Sequence, residues 1–346
     1  MAKSRLAHSG RNGPKGVLSA LELCAGGGGQ SLGLKLAGFH CAAAVEIDAD
    51  ACKTLRNNLD GTQVVEGDLR AFEARCFEGV DLVAGGVPCP PFSIAGKQLG
   101  ASDERDLFPE ALRIVREAGP RAVMLENVRG FCSEKFSGYR QRLLGQFREL
   151  GYVPAWRLLQ AADYGVPQLR PRFLLVALKE EFAPFFQWPE PVERVSTVGD
   201  TLLDLMASGG WAGAGEWAAK AQSIAPTIVG GSKKHGGPDL GPTRARADWK
   251  KLGVNGLSLA AEPPGPEFPL DGLPRLTNRM VARLQSFPDS WEFAGSKTAQ
   301  YRQIGNAFPP AVASAVAARI QAALLKQPVN APAGGELFGR QLVAGS

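Results

Sequence analysis

"LELCAGGGGQSLGLKLAGF", Leu21 to Phe39, runs from an apolar stretch through four consecutive glycines into a helix-like segment. Glycines let the backbone come close to a ligand, and the amino terminus of a helix presents free N–H groups. The stretch therefore reads as a ligand-binding turn between a strand and a helix. It is no match to G-x-G-x-x-G, because Ser31 stands where the last glycine would follow Gly26 and Gly28, which disfavours a nicotinamide dinucleotide. Outward from this turn, Val17–Cys24, Cys41–Ile47, Gln63–Glu66, "VDLVAGG" and Arg121–Asn127 read as strands, separated by helical stretches such as Asp48–Leu59 and Leu107–Ala118. That βαβαβ order predicts the α/β class with a doubly wound, mostly parallel sheet.

"WRLLQAADYG" and "RFLLVALK" add two strand candidates before Pro184. Beyond it Gly, Pro and Trp become frequent and periodicity fades until about Leu276, which predicts a second, smaller, loop-rich domain. From Pro309 an alanine-rich helix resumes, with an apolar face expected to pack on the first half. The expected organisation is a disordered basic tail at 1–16, a sheet domain at 17–184 and 300–326, a second domain at 185–299, and a disordered tail at 327–346.

A chain of 346 residues with 45% hydrophobic and 21% charged residues suits one large domain and a smaller one. No apolar stretch approaching the roughly 20 residues of a membrane helix is expected, and the first residues lack the apolar middle of a secretory signal, so the expectation is a soluble, cytoplasmic protein. All six cysteines fall within the first 132 residues without a C-x-x-C pair, and only His8, His40 and His235 are available as co-ligands. Neither a metal site nor a disulfide framework is expected, and a Ser-His-Asp or Cys-His arrangement is poorly supported. From Lys220 to Lys251 seven Lys and Arg face two Asp, so this one segment carries a balance equal to the net charge of +5. Such a stretch is either a solvated loop surface or a phosphate-facing one.

Glu46, twenty positions after Gly26, sits where a carboxylate accepts from both hydroxyls of a ribose, and Asp68 in "EGDLR" where one accepts from an adenine amino group. Either acid alone also fits a helix cap. Two acids at successive strand ends beside a glycine turn point to an adenosine cofactor. In "GGVPCPPFS", Gly85–Ser93, Cys89 follows a buried strand and is flanked by Pro88, Pro90 and Pro91, which stiffen the loop and hold the thiol in position. A rigidly aimed thiol suits a nucleophile, whereas a cysteine without such flanks is ordinarily a small buried hydrophobe. "LENVRG" puts Glu126 and Asn127 at the next strand end, where a partly desolvated carboxyl serves as an acid.

"ELCAGGGGQSLG", "VEIDADA", "EGDLR", "GGVPCPPFS", "LENVRG", "PQLRPRFLLVA", "RLTNRMVARLQSFPD" and "QIGNAFPP" stand in this order, and in that order the chain resembles the DNA cytosine-5 methyltransferase family from Leu21 to about Ala318. The resemblance implies a class I methyltransferase fold with S-adenosylmethionine as cofactor, held by Cys24, Ala25, Gly26, Gly28, Gly29, Gln30, Glu46, Ile47, Asp68, Leu69, Pro88, Asn306 and Ala307. It implies that Cys89 is the nucleophile, that Glu126 holds the base at ring nitrogen 3 and the amino group, and that Arg170 and Arg172 reach the base's carbonyl oxygen and a nearby phosphate. It also makes 185–299 a target-recognition region, with Ser93, Gln168, Lys233, Lys234, Arg244, Arg246, Lys250 and Lys251 on DNA. Cys24 is a departure, since many relatives carry an aromatic residue there.

These residue types suit the implied chemistry. Carbon 5 of cytosine is too electron-poor to attack a sulfonium methyl, so a thiolate adds at carbon 6 while Glu126 protonates ring nitrogen 3. The base must leave the stack to be reached, at a cost of a few kcal/mol. The expected partner is double-stranded DNA, acted on by a monomer, without metal or membrane, as the modification enzyme of a restriction-modification system or a solitary equivalent. The alternative is a tRNA cytosine-5 methyltransferase of the same family. A binding protein that has lost catalysis is opposed by the intact Cys89, Glu126 and Arg172.

Overall fold

The computed structural model describes residues 16–88, 106–231 and 237–328. The strands are β1 (Leu18–Leu23), β2 (Phe39–Glu46), β3 (Gln63–Glu66), β4 (Leu82–Gly85), β5 (Ala122–Val128), β6 (Tyr152–Gln160) and β7 (Pro171–Lys179). The helices are α1 (Gly29–Leu36), α2 (Ala49–Asn58), α3 (Phe108–Ala118), α4 (Ser137–Glu149), α5 (Val198–Ala207), α6 (Ala214–Lys220), α7 (Thr243–Lys251), α8 (Asn278–Leu284), α9 (Lys297–Asn306) and α10 (Pro310–Leu324).

The seven strands form one sheet in the order β3-β2-β1-β4-β5-β7-β6. The first five are parallel, and β7 runs antiparallel between β5 and β6. β6 begins at Tyr152, four residues before the stretch read as a strand, and "AADY" is a single 3-10 turn closed by Gly165 at φ 83. From β1 the chain winds outward to β3 and then crosses back to β4 on the other side of β1. The carboxyl ends of β1 and β4 are thus neighbours, with Leu23 opposite Gly85. Doubly wound sheets open their ligand crevice at such a switch point.

Alternation along the strands feeds two cores. Leu34 of α1 and Val312, Val316 and Ile320 of α10 pack with Ala20, Leu82, Met124 and Val176 on one face. Ile114 of α3 and Phe147 of α4 pack with Val83, Val123 and Leu125 on the other. The returning helix α10 therefore rests on α1, so closely that a side chain at Gly33 would collide with Ala313. Residues 297–324 are long and apolar enough to cross a membrane, contrary to the expectation from sequence, yet 67% of the most apolar 18-residue window in that stretch is buried in this fold. Its apolar character is spent on the core.

A third cluster, built on Trp211, Trp217, Trp249, Val254 and Leu276, centres on the loop-rich region and continues into Leu55 and Leu59 of the sheet domain. Trp291 Nε1 donates to Gly27 O at 3.0 Å, Glu292 N to Asn58 Oδ1 at 2.9 Å, and Ala294 N to Thr54 Oγ1 at 2.8 Å. The segment around 291–294 thereby braces the glycine turn and α2, while Trp291 also packs in the third cluster. Apart from Gly16, Gln327 and Pro328, the two tails lie outside the described residues.

Candidate active site

The turn after β1 is built from left-handed backbone at Cys24 (φ 52), Gly26 (φ 54) and Gly28 (φ 83). Glu46, at the end of β2, holds it from beside: Oε2 accepts from Gly26 N at 2.7 Å, and Oε1 accepts from Ile47 N and Asp48 N, both at 2.8 Å. These elements enclose a cavity of about 250 Å³ lined by Glu22, Cys24, Ala25, Gly26, Gly27, Gln30, Glu46, Asn306 and Ala307, among others.

Two polar residues define its character. Gln30 is 4% exposed, and neither its amide oxygen nor its amide nitrogen has a partner among the described residues. An unpaired buried amide costs about 1–3 kcal/mol, so a polar ligand is the fitting occupant. Glu22, buried and hydrogen-bonded by Ser31 Oγ, is pushed up to about 8 by burial. Cys24 is pushed up to about 12, by burial first and then by Glu46 and Asp68, which leaves it a neutral lining group.

A second cavity, about 570 Å³, opens beyond the ends of β4 and β5 and is lined by Gly86, Val87, Pro88, Glu126, Asn127, Arg172, Thr227 and Asn306, among others. Its chemistry follows from strand register. Glu126 of β5 faces Leu174 of β7, so Arg172, two residues away, projects from the same side of the sheet. Arg172 Nε lies 2.8 Å from Glu126 Oε1, with side-chain exposures of 10% and 12%. Burial raises the Glu126 pKa against the opposing pull of Arg172 and Arg170. Asn127 Nδ2 ties β5 to the loop after β4 through Val87 O at 2.9 Å. Gly86, Glu126 and Asn306 line both cavities, so one wall separates the two chambers.

Several expected residues stand elsewhere. Arg170 is fully buried, donating to Ile228 O, Gly305 O and Ala307 O at 2.5 to 2.9 Å, so it does not reach a base or a phosphate. Gln168 is fully buried too, bonded to Gln285 Oε1 and Ile228 N, and cannot touch DNA. Pro88 lines the second cavity rather than the first. Gly28 and Gly29 shape the turn from behind: a side chain at Gly28 would meet Trp291 at 2.6 Å. Ile47 is exposed, Leu69 is buried, and Asp68 pairs with Arg70 at 2.9 Å; none of the three lines the first cavity. Residues missed in the sequence but lining that cavity include Glu22, Gly27, Asp48, Arg302, Gln303 and Phe308. Glu22, Gly27, Asp48, Gln303 and Phe308 all lay within quoted motifs, Glu22 as one acid inside an apolar strand.

On α7, Arg244, Lys250 and Lys251 are exposed while Trp249 is fully buried beneath them, and Lys251 pairs with Asp248 at 2.7 Å. Cys89, Ser93, Lys233 and Lys234 lie outside the described residues.

The family model for C-5 cytosine-specific DNA methylase matches residues 18–322. The chain is 58% identical over 311 residues to Type II methyltransferase M.NaeI of Lentzea aerocolonigenes, covering 89% of this chain and 75% of the relative. It is 52% identical over 314 residues to Type II methyltransferase M.NgoMIV of Neisseria gonorrhoeae, covering 89% and 99%. Among solved structures, a DNA modification methyltransferase encoded within an E. coli prophage superposes with a TM-score of 0.61 at 25% identity, covering 89% of this chain and 99% of that one.

Proposed function

The chain belongs to the C-5 cytosine-specific DNA methylases, and from that premise we propose the division of labour that follows. The enzyme methylates carbon 5 of cytosine in DNA as a restriction-modification methyltransferase, with S-adenosylmethionine as cofactor. A tRNA substrate is not favoured beside these relatives. The observation that carries the assignment of roles is the shared wall: Glu126 and Asn306 face both a glycine-turn cavity and a second cavity floored by the Glu126–Arg172 pair.

The first cavity fits the cofactor. Backbone groups at Gly26 and Gly27, the Gln30 amide, Glu46, Asn306 and Ala307 would hold it, and the orphaned Gln30 amide is the feature that asks for it. When bound, the cofactor supplies an electrophilic methyl group. The second cavity takes the flipped cytosine. Cys89 adds its thiolate to carbon 6, forming a C–S bond, while Glu126 delivers a proton to ring nitrogen 3, so the electron pair of the carbon 5–carbon 6 bond moves to carbon 5. Arg172 fixes the Glu126 carboxyl and carries a donor toward the base's carbonyl oxygen. After methylation a base takes the carbon 5 proton, the carbon 5–carbon 6 double bond re-forms as the Cys89 thiolate leaves, and ring nitrogen 3 returns its proton to Glu126. Thr227, whose hydroxyl donates to Leu169 O, keeps the recognition segment at the rim of this cavity.

The loop-rich region from about 185, with Arg244, Arg246, Lys250 and Lys251 on α7, reads the duplex, a role supported by the positive balance of the segment from Lys220 to Lys251. One chain carries both cavities, which supports action as a monomer, and a DNA substrate supports a cytoplasmic location. The test is single-base mapping of methylated cytosines on plasmid DNA exposed to the purified protein. The expected result is 5-methylcytosine at one sequence context. Methylation of another atom, or of RNA alone, would overturn the reading.

A further inference from the structure

Arg170 does not serve the base, and its contacts show what it serves instead. Its guanidinium donates through Nη1 to Ile228 O at 2.5 Å, and through Nη2 to Gly305 O at 2.7 Å and Ala307 O at 2.9 Å. These acceptors lie 58, 135 and 137 residues along the chain. One belongs to the loop-rich region, and the other two flank Asn306 in the wall between the cavities. Two independent contacts join the same segments. Gly230 and Gly305 cross backbone to backbone, so that a side chain on Gly305 would collide with Gly230, and a Cβ on Gly230 would lie 2.5 Å from Arg302 O and 2.8 Å from Asn306 N. Asn306 Nδ2 donates to Gly231 O at 3.1 Å.

We propose that Arg170 is a positioning residue that makes the Gly305–Ala307 wall of the cofactor cavity depend on segment 228–231 of the recognition region. A planar guanidinium satisfies three carbonyls from two segments at once, which a lysine ammonium on a flexible stem cannot reproduce. The glycine crossing leaves no room for the two segments to move independently. Displacing segment 228–231 therefore displaces Asn306, and coupling of this kind is reciprocal: what DNA does to the segment is felt by the cofactor, and the converse. That DNA acts on this segment rests on the recognition-region reading above; the joint itself does not.

The experiment measures S-adenosylhomocysteine binding to the full chain by calorimetry at 25 °C without DNA, beside the melting temperature. Gly230 does not line the cofactor cavity. Gly230→Ala is expected to weaken S-adenosylhomocysteine about tenfold, and Arg170→Lys to do the same. A merely stabilising role would lower the melting temperature of a protein still folded at 25 °C and leave its affinity unchanged. Affinity within twofold of wild type in either folded variant would overturn the proposal; if Gly230→Ala does not fold, Arg170→Lys decides alone. Plasmid methylation by the wild-type protein, run in parallel, reports on the function separately: its failure would sink that reading and leave the joint standing.

Discussion

Glu126 Oε1 and Arg172 Nε stand 2.8 Å apart on one face of β5 and β7, nearly closed off from solvent. Two influences on the carboxyl oppose each other there. The guanidinium favours the charged form and burial the neutral one, and burial is the larger, so the pKa rises. The pair thus holds in one place a group able to carry a proton above the ordinary carboxylate range and a cation that orients it.

Glu126→Gln keeps the shape of the site and removes the proton. The expected loss in methylation rate is about 10²–10⁴-fold, with DNA retained in a mobility-shift assay. In the wild type the protonated carboxyl is the active form. The rate should fall as pH rises through its raised pKa, and the Gln variant should lack that alkaline limb. An unchanged pH–rate profile in Glu126→Gln would assign the proton to another group.

Glu22 gives a stability prediction with a definite sign. Its carboxyl titrates at about 8 in the fold against an ordinary value of 4.5, so between these limits the native state keeps a proton that the unfolded state has released. Stability therefore falls as pH rises across that window. Glu22→Gln, which stays neutral, should flatten the dependence and melt higher than the wild type at pH 8, being more stable there by an amount on the order of a few kcal/mol. Parallel thermal melts at pH 5 and pH 8 check it; equal slopes for the two proteins would show that Glu22 is charged in the fold.

Gln30 separates stability from binding. Replacing its unpartnered amide by the similarly sized Leu should stabilise the ligand-free protein by about 1–3 kcal/mol, because the desolvated polar atoms disappear. The same change should weaken S-adenosylhomocysteine by roughly tenfold or more, since the ligand loses the groups that complete it. Melting curves and calorimetry on the same samples measure both. A variant that binds as well as the wild type would place the amide outside the cofactor's reach.

The sheet and the glycine turn were legible because each rests on local pattern: alternation along β1 to β5, glycines where φ is positive, and an acid ending β2. Glu126 and Arg172 were legible as motif members, and the antiparallel register of β5 and β7 explains why they meet. Arg170 and Gln168 were misplaced for the opposite reason. Two residues from Arg172, Arg170 looks like a second active-site cation, but it is buried by Ile228, Gly305 and Ala307, which nothing local brings near. Likewise the place of Trp291 is set by one hydrogen bond to Gly27, 264 residues away. Tertiary burial, rather than residue type, decides whether a polar side chain works on a ligand or on the backbone.

Covalent trapping singles out the thiol. The five described cysteines, Cys24, Cys41, Cys52, Cys76 and Cys132, are free, and burial raises the pKa of each, to about 12 at Cys24 and about 11 at Cys52. Thiols held protonated in this way are poor nucleophiles, so none of the five competes with the proposed nucleophile Cys89. Release of the product requires loss of a proton from carbon 5. With 5-fluorocytosine at the methylated position, carbon 5 carries fluorine after methyl transfer and has no proton to give up, so the carbon 6–sulfur bond persists. Incubating such a duplex with the wild-type protein and S-adenosylmethionine should give a denaturation-resistant complex, with the modified peptide spanning Cys89 in mass spectra. Cys89→Ser should give none, because a hydroxyl is far less ionised at neutral pH, yet it should still retain DNA and bind S-adenosylhomocysteine through groups that lie elsewhere. An adduct mapped to Cys24 or Cys132, or full methylation by Cys89→Ser, would move the nucleophile away from the loop after β4.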